Sequence, residues 1–309
     1  MPKILVIDSH KSGSENDIVQ NLHWKNAQII SEHLGADFVW SYPFVNKRVK
    51  SGYDVIIFNH SSPYSFMDMA WLEENPSAKI FFVTNEYNLG EDMMMWKYCK
   101  EHNKKFHVIA NHPQAASKVV KYLTESWHIV NLNCLIIKET PSAFPFFRDM
   151  DSAVYYGSFR KDRVEYIRKY ADQVIISTHQ KNLERFADVG MTKFKTMERV
   201  DVNNGLGVFG ASLYIEDKKT HKNYNFLANR FYEALNANIP MMFDLSCKST
   251  MDKSGYDIEN FLLTGSVKDK LDEYSNNADD ILSQLADLRI RAVREKKEVL
   301  REISRMINT

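Results

Sequence analysis

The feature that most constrains this chain is a series of short apolar runs near its start. They are KILVID at Lys3–Asp8, DVIIF at Asp54–Phe58, KIFFVT at Lys79–Thr84 and FHVIA at Phe106–Ala110. None alternates polar with apolar residues, so each reads as a strand covered on both faces, as in a parallel sheet between layers of helices. The segments between them fit that role. Leu22–Leu34, Phe66–Glu74 and Gln114–Leu123 have the apolar spacing of helices, and Gly35 stands where the first needs a C-cap. Phe38–Trp40 supplies a further strand, and the polar, glycine-containing Ser9–Asn21 reads as a loop. The alternation predicts an α/β fold with a doubly wound sheet.

The pattern breaks at Thr140–Asp151 (TPSAFPFFRDMD), where prolines and phenylalanines cluster as in a linker that packs against something. A second series follows, with strands at Ala153–Tyr156, Gln173–Ser177, Ser212–Ile215 and Ile239–Asp244 and helices at Val164–Tyr170 and Leu227–Leu235. A long charged amphipathic helix, Asp279–Met306, closes the chain and is expected to return toward the N-terminal domain. The 309 residues suffice for two domains, placed at 1–148 and 149–309. Two doubly wound domains facing a cleft are expected, with ligands beyond the carboxyl ends of the strands.

Composition excludes several classes. Lys and Arg total 40 and Asp and Glu 40, so a globally basic nucleic-acid binder is disfavoured and only local basic patches remain. No apolar run approaches the ~18 residues of a membrane span, and MPKILVID reads as a strand rather than a signal peptide. Cys99, Cys134 and Cys247 are widely spaced and odd in number, which argues for a reducing cytoplasm and against a disulfide framework or a zinc site.

Several motifs are weighed by context. Gly205–Gly210 (GLGVFG) matches a dinucleotide fingerprint, but the next segment reads as a strand and not a helix, which favours a plain glycine-rich loop. Asp149 and Asp151 form a D-x-D that lies in the linker. The histidines, His10, His60, His102, His107 and His112 among them, lack metal-ligand spacing. Tyr155–Arg163 (YYGSFRKDR) is more informative. A strand ends at Gly157 and Ser158, and Arg160 and Arg163 follow at a helix start. Glycine, hydroxyl, backbone amides and two guanidiniums can together hold a diphosphate, or they are a solvated helix start. In Asn223–Asp244 (NYNFLANRFYEALNANIPMMFD), Arg230 and Glu233 share a helix face. They are either a surface ion pair or a phosphate contact beside a ribose-binding carboxylate.

Taken in order, these segments resemble the GT-B class of nucleotide-sugar glycosyltransferases, and within it the T-even phage DNA beta-glucosyltransferases. Gly157–Arg160 (GSFR) is similar to that family's phosphate-binding turn. Tyr224, Arg230 and Glu233 are similar to residues of its pyrophosphate- and ribose-binding helix. Asn59–Phe66 (NHSSPYSF) and Phe82–Asn85 (FVTN) fall where the family has strand-end loops. The resemblance implies an inverting UDP-sugar-dependent transferase in the cytoplasm of an infected bacterial host. Its acceptor would be 5-hydroxymethylcytosine in duplex DNA, and its donor sugar glucose or a pentose such as arabinose. A monomer with no obligatory metal is expected, because arginines supply the charge that a metal would.

The sequence departs from the family at the catalytic base. Where the family has an aspartate after a strand-end threonine, Thr84 is followed by Asn85, which is no base, and then by Glu86, the nearest carboxylate. Glu91, Asp92 and Asp8 are alternatives. Lys47, Arg48 and Lys50, with Lys104, Lys105, Lys118 and Lys121, are the local basic clusters that can meet DNA phosphate. Tyr64 and Phe66 are candidate wedges for extruding a base. Two other functions fit the same residues. One is a UDP-sugar transferase for a cell-surface glycan or protein. The other is a non-catalytic DNA- or sugar-nucleotide-binding module.

Overall fold

Burial on both faces, expected from the apolar runs, is what the computed structural model shows. It describes residues 2–8, 22–40, 49–59, 66–84, 94–112, 118–141, 149–196, 205–216 and 225–309. The chain forms two compact units. One comprises Met1–Leu135 with Lys296–Thr309 and the other Ile136–Glu295. The division therefore falls between Leu135 and Ile136, whereas the sequence boundary at 148/149 lies at the start of the next strand.

The first unit runs β1 (Ile4–Asp8), α1 (Leu22–Leu34), β2 (Asp37–Trp40), β3 (Val55–Asn59), α2 (Phe66–Glu74), β4 (Lys79–Thr84), α3 (Met94–Glu101), β5 (Phe106–Ala110), α4 (Lys118–Leu123) and β6 (Thr124–Ile129). Its strands form one parallel sheet in the order β2-β1-β3-β4-β5-β6. Leu5, Ile56 and Ile80 stand in register on one face, where Phe58 stacks on Phe82 at 5.6 Å and Trp71, Leu72, Tyr98 and Cys99 cover them. Val6, Ile57 and Phe81 are as deeply buried on the other face. Each such side chain taken out of water contributes about 1.5–3 kcal/mol. The strand β6 and the helix α3 are not apparent in the sequence. β6 is a half-buried edge strand (TESWHI) with a neighbour on one side only, so it carries polar residues that a central strand cannot.

The second unit runs β7 (Asp149–Tyr156), α5 (Val164–Ile167), β8 (Val174–Thr178), α6 (Leu183–Ala187), β9 (Phe194–Thr196), β10 (Phe209–Tyr214), α7 (Asn229–Ala237), β11 (Met241–Phe243), α8 (Lys248–Ser254), α9 (Val267–Asn276) and the start of α10 (Ala278–Asn308). Its strands are parallel in the order β11-β10-β7-β8-β9. Two sequence expectations are corrected here. Asp149 and Asp151 lie in β7 and not in a linker. The helix expected over Val164–Tyr170 is a single α-turn between 3-10 turns. GLGVFG is not a plain loop: Gly205 and Leu206 are helical, Gly207 and Val208 form a turn, and Phe209 and Gly210 already belong to β10, so it opens no helix.

Both sheets reverse their winding once. In the first the reversal lies between β1 and β3, and in the second between β7 and β10. Side chains just beyond those carboxyl ends stand where a ligand can approach.

Helix α7 ends without glycine. Asn238 takes the left-handed conformation at φ 53°, and its Oδ1 accepts from Arg289 Nη2. The same buried guanidinium donates to the Leu235 carbonyl at 3.1 Å, so α10 caps α7. Asn238→Gly keeps the backbone relaxed and removes the side chain with its acceptor for Arg289, and should cost about 1.5–3 kcal/mol. Asn238→Ala should cost about 1–2 kcal/mol more, because alanine resists the left-handed conformation. Urea unfolding of the two variants measures both terms.

Candidate functional site

β7 ends at Tyr156, and the chain turns sharply at Gly157, whose φ is 131°. Neighbours on β8 pin this turn. Gly157 N donates to Ser177 O at 3.1 Å, and Gly157 O accepts from Thr178 Oγ1 at 2.8 Å. Asn182 Nδ2 in turn donates to Thr178 Oγ1 at 3.2 Å. A Cβ at Gly157 would lie 3.1 Å from Arg230 Nη2, so both the dihedral and the close approach require glycine here. Ser158 and Arg160 follow on the surface.

Across the winding reversal, β10 ends at Tyr214, and Ile215 and Glu216 follow it. The Glu216 carboxylate is 2% exposed. Arg163 Nη2 lies 2.5 Å from its Oε2 and Arg230 Nη1 lies 3.5 Å from its Oε1. Arg230 Nη1 also donates to the Ile215 carbonyl at 2.7 Å, and the guanidinium sits 4.9 Å from the Tyr155 ring centre. Burial opposes both positive charges, but Tyr155 and Glu216 outweigh it at Arg230, and Glu216 does so at Arg163. Both side chains are therefore held more firmly protonated than a free arginine.

Arg230 and Glu233 share α7 but are not an ion pair with each other. Glu233 Oε2 accepts from the Tyr156 hydroxyl at 2.8 Å, and that hydroxyl also lies 3.2 Å from the Arg230 carbonyl. Burial, followed by the charge of Glu233, pushes the Tyr156 phenol well above its usual pKa, so it remains a donor. No side chain caps the N-terminus of α7, where Ala228 is the N-cap and its N–H donates to Tyr214 Oη at 2.7 Å. Two guanidiniums, a helix start and a glycine turn thus converge at one strand edge. That arrangement suits an anion with several oxygens.

The structure gathers Gly157, Arg163, Arg230 and Glu233 in this region and leaves Ser158 and Arg160 at its exposed rim. It adds Glu216, Tyr155 and Tyr156, which sequence reasoning missed. A signal for Glu216 existed: the apolar run SLYI ends in a carboxylate, Glu216, with Asp217 next to it. Glu86, Asn85, Glu91, Asp92, Tyr224, Lys47, Arg48, Tyr64, His10 and His60 lie outside the described residues. Phe66 opens α2, with its side chain outside the description, and Lys50 is exposed. Lys105 donates to the Tyr122 carbonyl and sits 4.1 Å from that ring's centre. Asp8, at the end of β1, is buried and accepts from Asn59 Nδ2 at 3.3 Å across the winding reversal of the first sheet. Among the described residues no group of three or more His, Cys, Asp or Glu side chains is arranged to hold a metal ion, and no helix is long and apolar enough to cross a membrane. Cys99, Cys134 and Cys247 are buried free thiols.

No family model matches the sequence, and no curated protein matches it by sequence. Solved structures match along the whole chain. A structure of T4 phage beta-glucosyltransferase concerned with substrate binding and catalytic mechanism matches 99% of this chain and 100% of its own, with a TM-score of 0.68 and 16% identity. A second beta-glucosyltransferase structure, of a DNA-modifying enzyme with and without uridine diphosphoglucose, gives 0.68 and 15% over the same shares. An alpha-glucosyltransferase bound to UDP and a 13-mer DNA containing an HMU base gives 0.63 and 8% over 100% of both chains. At these identities the likeness is one of fold, and the fold is GT-B.

Gly157→Ala should destabilise the second unit by about 1–3 kcal/mol through backbone strain, and should displace the Arg230 side chain. Urea unfolding checks the first effect, and a crystal structure of the variant the second.

Proposed function

We propose that this protein is a glycosyltransferase that moves a sugar from a UDP-sugar to 5-hydroxymethylcytosine in duplex phage DNA. The observation that carries the reading is the buried pairing of Arg163 and Arg230 on Glu216, beside the Gly157 turn at the winding reversal of the second sheet. The full-length likeness in fold to a beta-glucosyltransferase, and to an alpha-glucosyltransferase whose structure contains UDP and DNA, supports it.

In this reading residues 149–309 hold the donor. Arg163 and Arg230, with Ser158, Arg160 and Tyr224, receive the diphosphate. Glu233, oriented by Tyr156, accepts from the ribose hydroxyls. Residues 1–148 hold the acceptor, with Lys47, Arg48 and Lys50 on phosphate and Tyr64 or Phe66 filling the space of the extruded base. The acceptor hydroxymethyl oxygen attacks the anomeric carbon while the bond to the β-phosphate oxygen breaks, inverting the centre. Glu86, next to Asn85, takes the hydroxyl proton, and the arginines take up the charge that develops on UDP. With that charge met by side chains, no metal is required for departure. The enzyme acts as a monomer in the cytoplasm of an infected host, where sugar on DNA blocks restriction.

Incubation with labelled UDP-glucose or UDP-arabinose and matched duplexes should label the DNA that contains 5-hydroxymethylcytosine and not the cytosine control. Label in a host glycan or protein fraction instead would move the acceptor off DNA, and binding without transfer would leave a non-catalytic module. Arg230→Ala should raise the donor KM and lower kcat, because the contact strengthens as UDP leaves. Arg230→Lys should rescue only in part, because a point charge lacks the planar fork. Thermal melts confirm that each variant is folded.

Glu86→Gln tests the base separately. It should keep UDP and DNA binding and lose about 10²- to 10⁴-fold in transfer. If it turns over within a few-fold of wild type while Asp8→Asn or Asp92→Asn is inactive, the base is one of those residues.

A further inference from the structure

A carboxylate has the wrong sign for a site that would hold a diphosphate, yet Glu216 is buried between the two arginines of this one. Its geometry accounts for it. Each carboxylate oxygen takes a different arginine, Oε2 facing Arg163 Nη2 and Oε1 facing Arg230 Nη1. The spacing of two oxygens on one carbon thus sets the spacing of two guanidiniums that would otherwise repel each other in a low-dielectric setting.

The contacts also select which edge of Arg230 is used. Glu216 and the Ile215 carbonyl both engage Nη1. The opposite edge, Nε with Nη2, is the one that can grip two oxygens of a phosphate at once. On that edge Nε is buried without a hydrogen-bond partner, and Nη2 faces the Gly157 turn.

We propose that Glu216 is a positioning residue of the donor site, holding Arg163 and Arg230 so that the Nε–Nη2 edge of Arg230 faces the diphosphate of a UDP-sugar. The proposal rests on the reading of this region as a UDP-sugar site. It makes a prediction opposite in sign to simple charge counting. Two arginines and one carboxylate carry a net single positive charge, so removing the carboxylate strengthens the local positive field. If Glu216 only tempered that field, its neutral variant would bind UDP more tightly. If it aims the guanidiniums, the neutral variant binds UDP less tightly despite the gain in charge.

The experiment is calorimetry on the full chain with UDP and with uridine, which lacks the diphosphate. Glu216→Gln should weaken UDP about tenfold, because a misplaced clamp costs more than the added charge returns, and should leave uridine unchanged. Glu216→Asp keeps the charge with a shorter reach and should weaken UDP by a smaller factor, again with uridine unchanged. It also serves as the test variant if the glutamine protein fails to fold. Donor KM should rise in both variants in step with the loss of UDP affinity. UDP binding equal to or tighter than wild type in Glu216→Gln overturns the proposal, and so does an equal loss of UDP and uridine, which marks a general disturbance. A wild-type protein that binds no UDP removes the donor-site reading itself, and the proposal with it.

Discussion

Strands buried on both faces leave polar groups only the strand ends, and most of what distinguishes this molecule follows from that constraint. Neither face of β1, β3, β4 or β10 tolerates a charge, since desolvation without a partner costs several kcal/mol. The chain therefore collects its polar side chains where the strands stop. Asp8 ends β1, Asn59 ends β3, Thr84 ends β4, Glu216 stands just past β10 and Asp244 just past β11, all of them buried. Asp244 shows how such a group is kept charged. Burial raises its pKa, but donation from Ser246 and from the Tyr170 hydroxyl, at 2.5 Å, more than offsets this and holds the carboxyl below its usual value. Parallel winding places these ends along one edge of each sheet, so these buried polar groups lie along two rims.

At the rim of the second sheet the constraint becomes an arrangement of charge. Neither Arg163 nor Arg230 could be so enclosed without a counter-charge, and Glu216 could not be so enclosed without them. Removing one partner from such a group typically costs about 3–5 kcal/mol, far more than the intact group contributes to stability. The backbone makes room for it. Gly157 has no Cβ and so admits the Arg230 guanidinium against the turn, while Thr178 and Asn182 keep the turn from relaxing. The tyrosines divide the remaining work, Tyr155 offering its ring face to Arg230 and Tyr156 its hydroxyl to Glu233.

Much of this was legible in the sequence because apolar runs and glycines act locally. KIFFVT and FHVIA coincide with β4 and β5 residue for residue, and Leu22–Leu34 with α1. Strands that owe their existence to neighbours were not legible. β6 carries Glu125, Ser126 and His128 and is a strand because β5 offers an edge, and β9 is three exposed residues beside β8. The site divides in the same way. GSFR and the helix residues Arg230 and Glu233 can be picked out as candidates by residue type. Glu216 lies fourteen positions before Arg230 and fifty-three after Arg163, and only the crossing of β10 beside β7 brings the three together. Spacing also misled, since Arg230 and Glu233 sit one turn apart yet each has a different partner.

The last helix has a consequence for how the molecule is made. Lys296–Thr309 belongs to the first unit, while residues before Lys296 in the same helix belong to the second. The second unit is one continuous stretch, Ile136–Glu295. The first unit is assembled from two stretches that flank the second, so its N-terminal sheet meets Lys296–Thr309 only after the whole second unit has been translated. Domains emerging during synthesis usually fold in order from the N-terminus. Here the unit that begins first is completed after the second, and a nascent chain that has left the ribosome only as far as Glu295 would present a complete second unit beside a first that still lacks Lys296–Thr309.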